Sequence, residues 1–207
     1  MKNNVLVLFC TLVTSIIFAQ NNPLIHTPSL SPDGKIIAFN YQGDIWTVSS
    51  NGGEATRLTI HPAYESMPRF SPDGKSIAFT SDRYGNDDVF VSKRLDDSWT
   101  NWSKPENLGP EINTEGKEMF PFYHPDGFLI FASDGHVGLG GLDNFITTEK
   151  PDGSYGKIIN LGYPINDKKD DFSMVVDEDV KTGYFSSNRP GGNGDDDIYF
   201  FNIITSL

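Results

Sequence analysis

The chain has 207 residues and a formal charge of −12, from 28 acidic and 16 basic side chains, and its one cysteine is Cys10. That balance repels phosphate backbones and argues against nucleic acid as a partner, and a single thiol excludes an internal disulfide framework. With 37% apolar residues, 20 glycines and 13 prolines, the composition fits a turn-rich domain with a core of its own rather than a disordered chain or a long-helix protein.

Residues 1–20, MKNNVLVLFCTLVTSIIFAQ, carry a basic start at Lys2, an apolar run from Val5 to Phe18 and a small-residue end at Ala19. This is a secretory signal pattern, shorter than the ~20 apolar residues of a membrane span, with cleavage expected near Ala19 or Gln20. The bulky Phe9 before Cys10 disfavours lipid attachment there. The mature chain, 21–207, is then one domain with no thiol and no transmembrane span, in the periplasm or at the outer membrane.

From residue 31 onwards the chain repeats itself. Ser31-Pro-Asp-Gly-Lys-Ile-Ile-Ala-Phe39 returns as Ser71-Pro-Asp-Gly-Lys-Ser-Ile-Ala-Phe79, then as His124-Pro-Asp-Gly-Phe-Leu-Ile-Phe131, and in worn form from Asp177 to Phe185. Asp33, Asp73, Asp126 and Asp179 mark these units at spacings of 40, 53 and 53. In each unit Pro fixes φ and Gly accepts positive φ, so a tight turn joins two strands. A polar loop follows, and an aspartate then opens a third strand: Asp44-Ile-Trp46, Asp88-Val-Phe90, Asp143-Asn-Phe145 and Asp197-Ile-Tyr199. Thr56–His61, Asn107–Asn113 and Asn160–Asn166 supply a fourth strand. The last unit has little left for one, whereas Asn22–His26 resembles Arg57–His61, so the N-terminal segment is expected to complete the final sheet. Four-stranded units of this period define an all-β propeller with four recognised blades and few exposed edges.

SPDGKIIAF and SPDGKSIAFTSDRYGNDDVF resemble the WD40-like Pro-Asp repeats of TolB-type propellers, which also occur in some serine peptidases. The stretches beginning NLGPEIN and NLGYPIN resemble the longer variant found ahead of OmpA-type domains in outer-membrane proteins. These motifs are specific for fold and nearly silent on activity; loops presented at the ends of a ring, behind a signal pattern, suit a non-catalytic, envelope-associated module that recognises a protein or glycan. Its alternative is an accessory or truncated propeller of a hydrolase or peptidase, gating substrate. Relatives have six or seven blades, and neither an OmpA-type nor a peptidase domain follows Tyr199.

The recurring Asp44, Asp88, Asp143 and Asp197, with Asp33, Asp73 and Asp126, read as structural positions. Asp195-Asp196-Asp197 lacks the alternating carboxylates of a calcium loop, and neither a metal nor a cofactor is expected. Arg83 and Arg189 occupy matching places in Ser81-Asp-Arg83 and Ser187-Asn-Arg189, as donors to a partner or as ties of their own loops. His136 lies in a glycine-rich loop and is read as having no repeat counterpart; His26 and His61 share a slot, and His124 replaces a turn serine. Ser154 does not form a nucleophile elbow, so no catalytic set is assigned. Loops Ser81–Asp87, Ser133–Leu142 and Ser187–Asp196 are expected at one end of the ring, presenting Arg83, His136, Arg189, Asp195 and Asp196 to a polar partner. Of Trp99 and Trp102, one is expected to be exposed.

Overall fold

The computed structural model describes residues 24–203, so the signal segment lies outside the described residues. Among the described residues every regular element is a strand, and no helix is long and apolar enough to cross a membrane. The first blade is β1 (His26–Leu30), β2 (Ile36–Tyr41), β3 (Asp44–Ser49) and β4 (Thr56–Arg57). The second is β5 (Glu65–Phe70), β6 (Ser76–Ser81), β7 (Asp88–Lys93) and β8 (Glu106–Asn107). The third is β9 (Glu118–Tyr123), β10 (Phe128–Ser133), β11 (Asp143–Thr148) and β12 (Ile159–Asn160). The fourth is β13 (Asp171–Val176), β14 (Thr182–Ser187) and β15 (Asp197–Asn202). Each is an antiparallel meander in sequence order, which gives the four-bladed propeller arrangement.

The strand-joining turns form as the repeat demands. In the first blade Ser31 Oγ donates to Asp33 Oδ1 at 2.7 Å, Lys35 N–H donates to the same oxygen, and Gly34 takes φ 72°. Ser71, Asp73 and Gly74 repeat this in the second blade. In the third, Asp126 N–H donates to His124 Nδ1 at 3.1 Å, while the buried ring's Nε2–H reaches the Asp177 carbonyl of the next blade at 2.9 Å. The fourth turn is built differently: Asp177 stands in the serine place and accepts from Thr182, and Val180 sits at φ 55° where the other blades have glycine.

Of the segment expected to complete the final sheet, residues 22–23 lie outside the described residues. His26 pairs with Asn40, so the strand beginning there is the inner strand of the first blade, and among the described residues the fourth blade has three strands. Blade contacts run through the inner strands, β1 to β5, β5 to β9 and β9 to β13, and no described strand of the fourth blade touches one of the first. The described residues form an open arc.

Three clusters fill the joints. Ala38 and Ile45 meet Ile77, Phe79 and Phe90; Ala78 and Val89 meet Leu129, Phe131 and Phe145; Ile130 meets Met174 and Phe185. The phenylalanine column of the repeats is therefore blade-to-blade core, with Phe79 and Phe131 fully buried. Trp99 and Trp102 both lie half-buried against the first cluster, contrary to the expectation of an exposed one; Trp99 meets Phe70 edge-on at 5.7 Å, under the guanidinium of Arg94 at 4.0 Å.

Each inner strand carries a bulge at the same register, with Thr27, Met67, Phe120 and Ser173 at φ 48° to 55°. These bends let straight strands converge on the axis at the cost of a left-handed non-glycine residue in every blade.

Candidate functional site

The second-to-third-strand loops of the second, third and fourth blades lean on the entry to the inner strand of their own blade. Asp82 Oδ1, Asp134 Oδ1 and Asn188 Oδ1 accept the backbone N–H of Tyr64, Lys117 and Asp170 at 2.7, 2.7 and 2.9 Å. The next residues, Glu65, Glu118 and Asp171, are fully buried carboxylates that the sequence reading missed. Their signal was present, since each stands six residues ahead of Ser71, His124 or Asp177.

Arg83 closes on Glu65 through Nε at 2.8 Å and through Nη2, with the guanidinium 5.3 Å from the Phe90 ring centre. Arg189 donates to Asp171 Oδ1 at 2.5 Å and to the carbonyls of Ile165 and Pro164 at 2.7 and 3.0 Å, over the Phe185 and Tyr199 rings. In the third blade Gly135 takes the arginine's place in sequence, because a Cβ there would fall 1.8 Å from Thr114 Oγ1. His136 supplies the missing donor: its Nε2 lies 2.8 Å from the Ile112 carbonyl, with the ring against Phe131 and Phe145. It does have a repeat counterpart, displaced by one residue. Glu118 is satisfied without a cation, by the Thr114 N–H and hydroxyl and by Ser133.

The third-strand aspartates tie that strand to the outer one. Asp44 is paired with Arg57, Asp88 accepts from Asn107 at 2.9 Å, and Asp143 accepts from Asn160 at 3.0 Å. Asp197 accepts the Gly194 N–H at 3.2 Å. The Asn-Leu-Gly segments add only two ladder residues; beyond them Asn113 and Asn166 bond both the N–H and C=O of Val89 and Asn144, a side-chain amide standing in for strand backbone. Asp195 and Asp196 are exposed beside a shallow 330 Å³ hollow that also borders Lys169 and Arg189. Among the described residues no three His, Cys, Asp or Glu side chains come together as a metal site.

The structure thus brings Arg83, His136 and Arg189 to equivalent places, each turned inward. His26 and His61 border a 380 Å³ hollow with Gln42 and Tyr64, although His26 opens β1 while His61 lies in the connection between β4 and β5, so they do not share a slot. One cation behaves otherwise. Arg69 of β5 lies half-buried on the axis side among Met67, Phe120, Phe122 and Met174, its guanidinium bonded, among the described residues, only to the Pro68 carbonyl at 3.2 Å. Burial pushes its pKa down from the ordinary value. Among the described residues no carboxylate pairs with it.

This is the architecture of a β-propeller whose chemistry-bearing polar groups are largely spent on holding blades and loops. Residues 22–102 match the family described as the Tricorn protease N-terminal beta propeller domain. Tricorn protease homolog 1 of Streptomyces coelicolor is 38% identical over 61 residues, 30% of this chain and 6% of that protein. The Tol-Pal system protein TolB of Francisella tularensis subsp. mediasiatica is 39% identical over 67 residues, again 30% of this chain and 15% of that protein. The crystal structure of TolB from Acinetobacter baumannii superposes over 89% of this chain and 42% of its own, with TM-score 0.64 and 21% identity, a likeness of fold. The chain therefore spans less than half of that structure, and its matches span a small share of the two sequence relatives.

Proposed function

We propose that the chain is an envelope-associated, non-catalytic binding module that recognises a protein partner through the axis side of its blades, with a glycan as the less favoured ligand. Similarity to proteins named for the Tol-Pal system supports the class, and the signal pattern of residues 1–20 supports delivery to the envelope. The observation that carries the reading is Arg69: a half-buried guanidinium with most of its donors unspent among the described residues, in an apolar groove of a chain with net charge −12. A carboxylate reaching it would be forked by a cation already partly desolvated, which favours an acidic side chain or chain end on the partner.

The test is capture of envelope proteins by the immobilised secreted chain and by its Arg69→Gln variant. A charge-assisted bond of about 1.5–3 kcal/mol predicts a loss of binding of about 10- to 100-fold with the fold intact. Unchanged capture by R69Q would remove the axis site, and recovery of a hydrolase as the captured protein would favour the accessory-propeller reading.

A further inference from the structure

Seven places in the chain put glycine after an asparagine or an aspartate, the pairing in which a side-chain carbonyl and the next backbone nitrogen can close a cyclic imide. In the five Asp-Gly pairs the acid is a carboxylate at neutral pH, a poor target for a nucleophile. Their glycine N–H groups are also given to neutral oxygens: Gly34, Gly74, Gly127 and Gly153 donate to backbone carbonyls, and Gly135 to the Ser133 hydroxyl. Asn51-Gly52 has the better electrophile, but the Gly52 N–H is likewise given to a carbonyl, that of Ser49, at 2.9 Å. Asn193-Gly194 differs, because its glycine N–H is donated to a carboxylate, Asp197 Oδ2, at 3.2 Å. The loop is shaped around that carboxylate: a Cβ on Gly192 would fall 1.7 Å from the same oxygen, whereas nothing comes closer than 3.6 Å to the place of a Cβ on Gly194. Asn193 itself is exposed, so water reaches it.

We propose that Asn193 is a site of self-modification, deamidated through an imide with Asp197 as the general base. Asp197 Oδ2 takes the proton of the Gly194 nitrogen as that nitrogen bonds to Asn193 Cγ. The tetrahedral carbon then expels its amide nitrogen, which leaves as ammonia with the proton Asp197 had taken, and an imide joins residues 193 and 194. Water opens either carbonyl of the imide, giving aspartate, or isoaspartate where the main chain now runs through the side-chain carbon. Amide and water become carboxylic acid and ammonia, with no change of oxidation state and no co-reactant except water. Base, nucleophile and electrophile are held within one short loop, so they meet without a binding step. The product adds a negative charge next to the exposed Asp195 and Asp196, at the rim of the hollow bordered by Lys169 and Arg189, and the loop turns more acidic as the protein ages.

The experiment incubates the purified full chain in heavy-oxygen water near neutral pH, folded and in denaturant, and follows Asn51 and Asn193 by peptide mapping that separates aspartate from isoaspartate and reads the incorporated label. In the folded chain Asn193 is expected to convert at least about tenfold faster than Asn51, as a positioned proton acceptor supplies. Denaturant should bring the two rates together, because the base is then no longer held against the Gly194 nitrogen. Asp197→Asn keeps an acceptor oxygen of the same shape without its basicity; with an unchanged circular dichroism spectrum it should slow Asn193 by a like factor and leave Asn51 as it was. Should D197N fail to fold, the folded and denatured rates of the parent decide alone. The proposal is overturned by an Asn193 that stays an amide while Asn51 converts, by a folded rate at Asn193 no higher than the denatured one, or by a folded D197N chain that converts Asn193 as fast as the parent.

Discussion

His136 Nε2 lies 2.8 Å from the Ile112 carbonyl, the station that Arg189 Nη2 occupies in the next blade at 2.7 Å from the Ile165 carbonyl. A carbonyl only accepts, so Nε2 carries the hydrogen and the imidazole serves as a short substitute for a guanidinium. Both groups also rest on the aromatic pair of their blade. His136→Ala should cost about 1–3 kcal/mol by orphaning the carbonyl, and His136→Gln should recover part of it. Thermal melts of the two variants decide it; an alanine variant as stable as the parent would show that the histidine is not a tie.

Arg83 and Glu65 form the most enclosed ion pair of the loop end, with side chains 14% and 0% exposed. Removing the cation alone strands a buried carboxylate, so Arg83→Ala is expected to destabilise by about 3–5 kcal/mol. R83M combined with E65Q removes both charges and should cost less than R83A alone. Chemical denaturation of the parent, R83A and the double variant measures this, and a double variant that loses as much as R83A or more would contradict a coupled pair.

Val180 holds a left-handed φ of 55° in a turn closed by its own N–H on the Asp177 carbonyl at 3.0 Å. A β-branched residue is strained there by about 1–2 kcal/mol, and Gly34, Gly74 and Gly127 show what the other blades use. Val180→Gly should therefore stabilise the chain, by a net of about 1 kcal/mol once the added freedom of the unfolded glycine is subtracted. No gain in Tm would mean that the turn is not strained.

Two sets of carboxyls give stability opposite dependences on pH. Burial raises the pKa of Asp87 above the usual 3.8, with Lys117 opposing and Asp82 and Asp134 reinforcing. Its contribution is full below 3.8 and is lost as pH rises through the folded value, so the ionised group weighs against the fold at neutral pH. Asp87→Asn should raise Tm at pH 7 by up to about 2–4 °C, since solvent screens the half-buried group, with the gain vanishing towards pH 4. The turn carboxyls run the other way: the Ser31 hydroxyl lowers Asp33 and the Thr182 hydroxyl lowers Asp177, and what they contribute is present above 3.8 and lost as pH falls through the lowered values. Melts of parent and D87N from pH 3 to pH 7 test both signs.

The blades were readable because turn chemistry is local. Pro-Asp-Gly specifies its hydrogen bonds within five residues, and the aspartates opening each third strand recur with the ladder. Closure was not readable in the same way. The likeness of Asn22–His26 to Arg57–His61 is a short match at the wrong offset, and strand pairing, which the letters do not carry, assigns His26 to Asn40. The role of His136 was hidden by a one-residue displacement around Gly135, where packing against Thr114 leaves no room for a side chain. Glu65, Glu118 and Asp171 escaped notice because a carboxylate ahead of a strand reads as a solvated end, and only the loop folding over it buries it.

The open arc also determines how the chain comes apart. Among the described residues strand contacts link only successive blades, so within them cooperativity travels along a line of nearest neighbours. Terminal units of such an array are held by one coupling and central units by two. The fourth blade combines one coupling with three described strands, so its amides should exchange with solvent first and a protease should trim inward from β15, leaving the second and third blades as the last unit to melt.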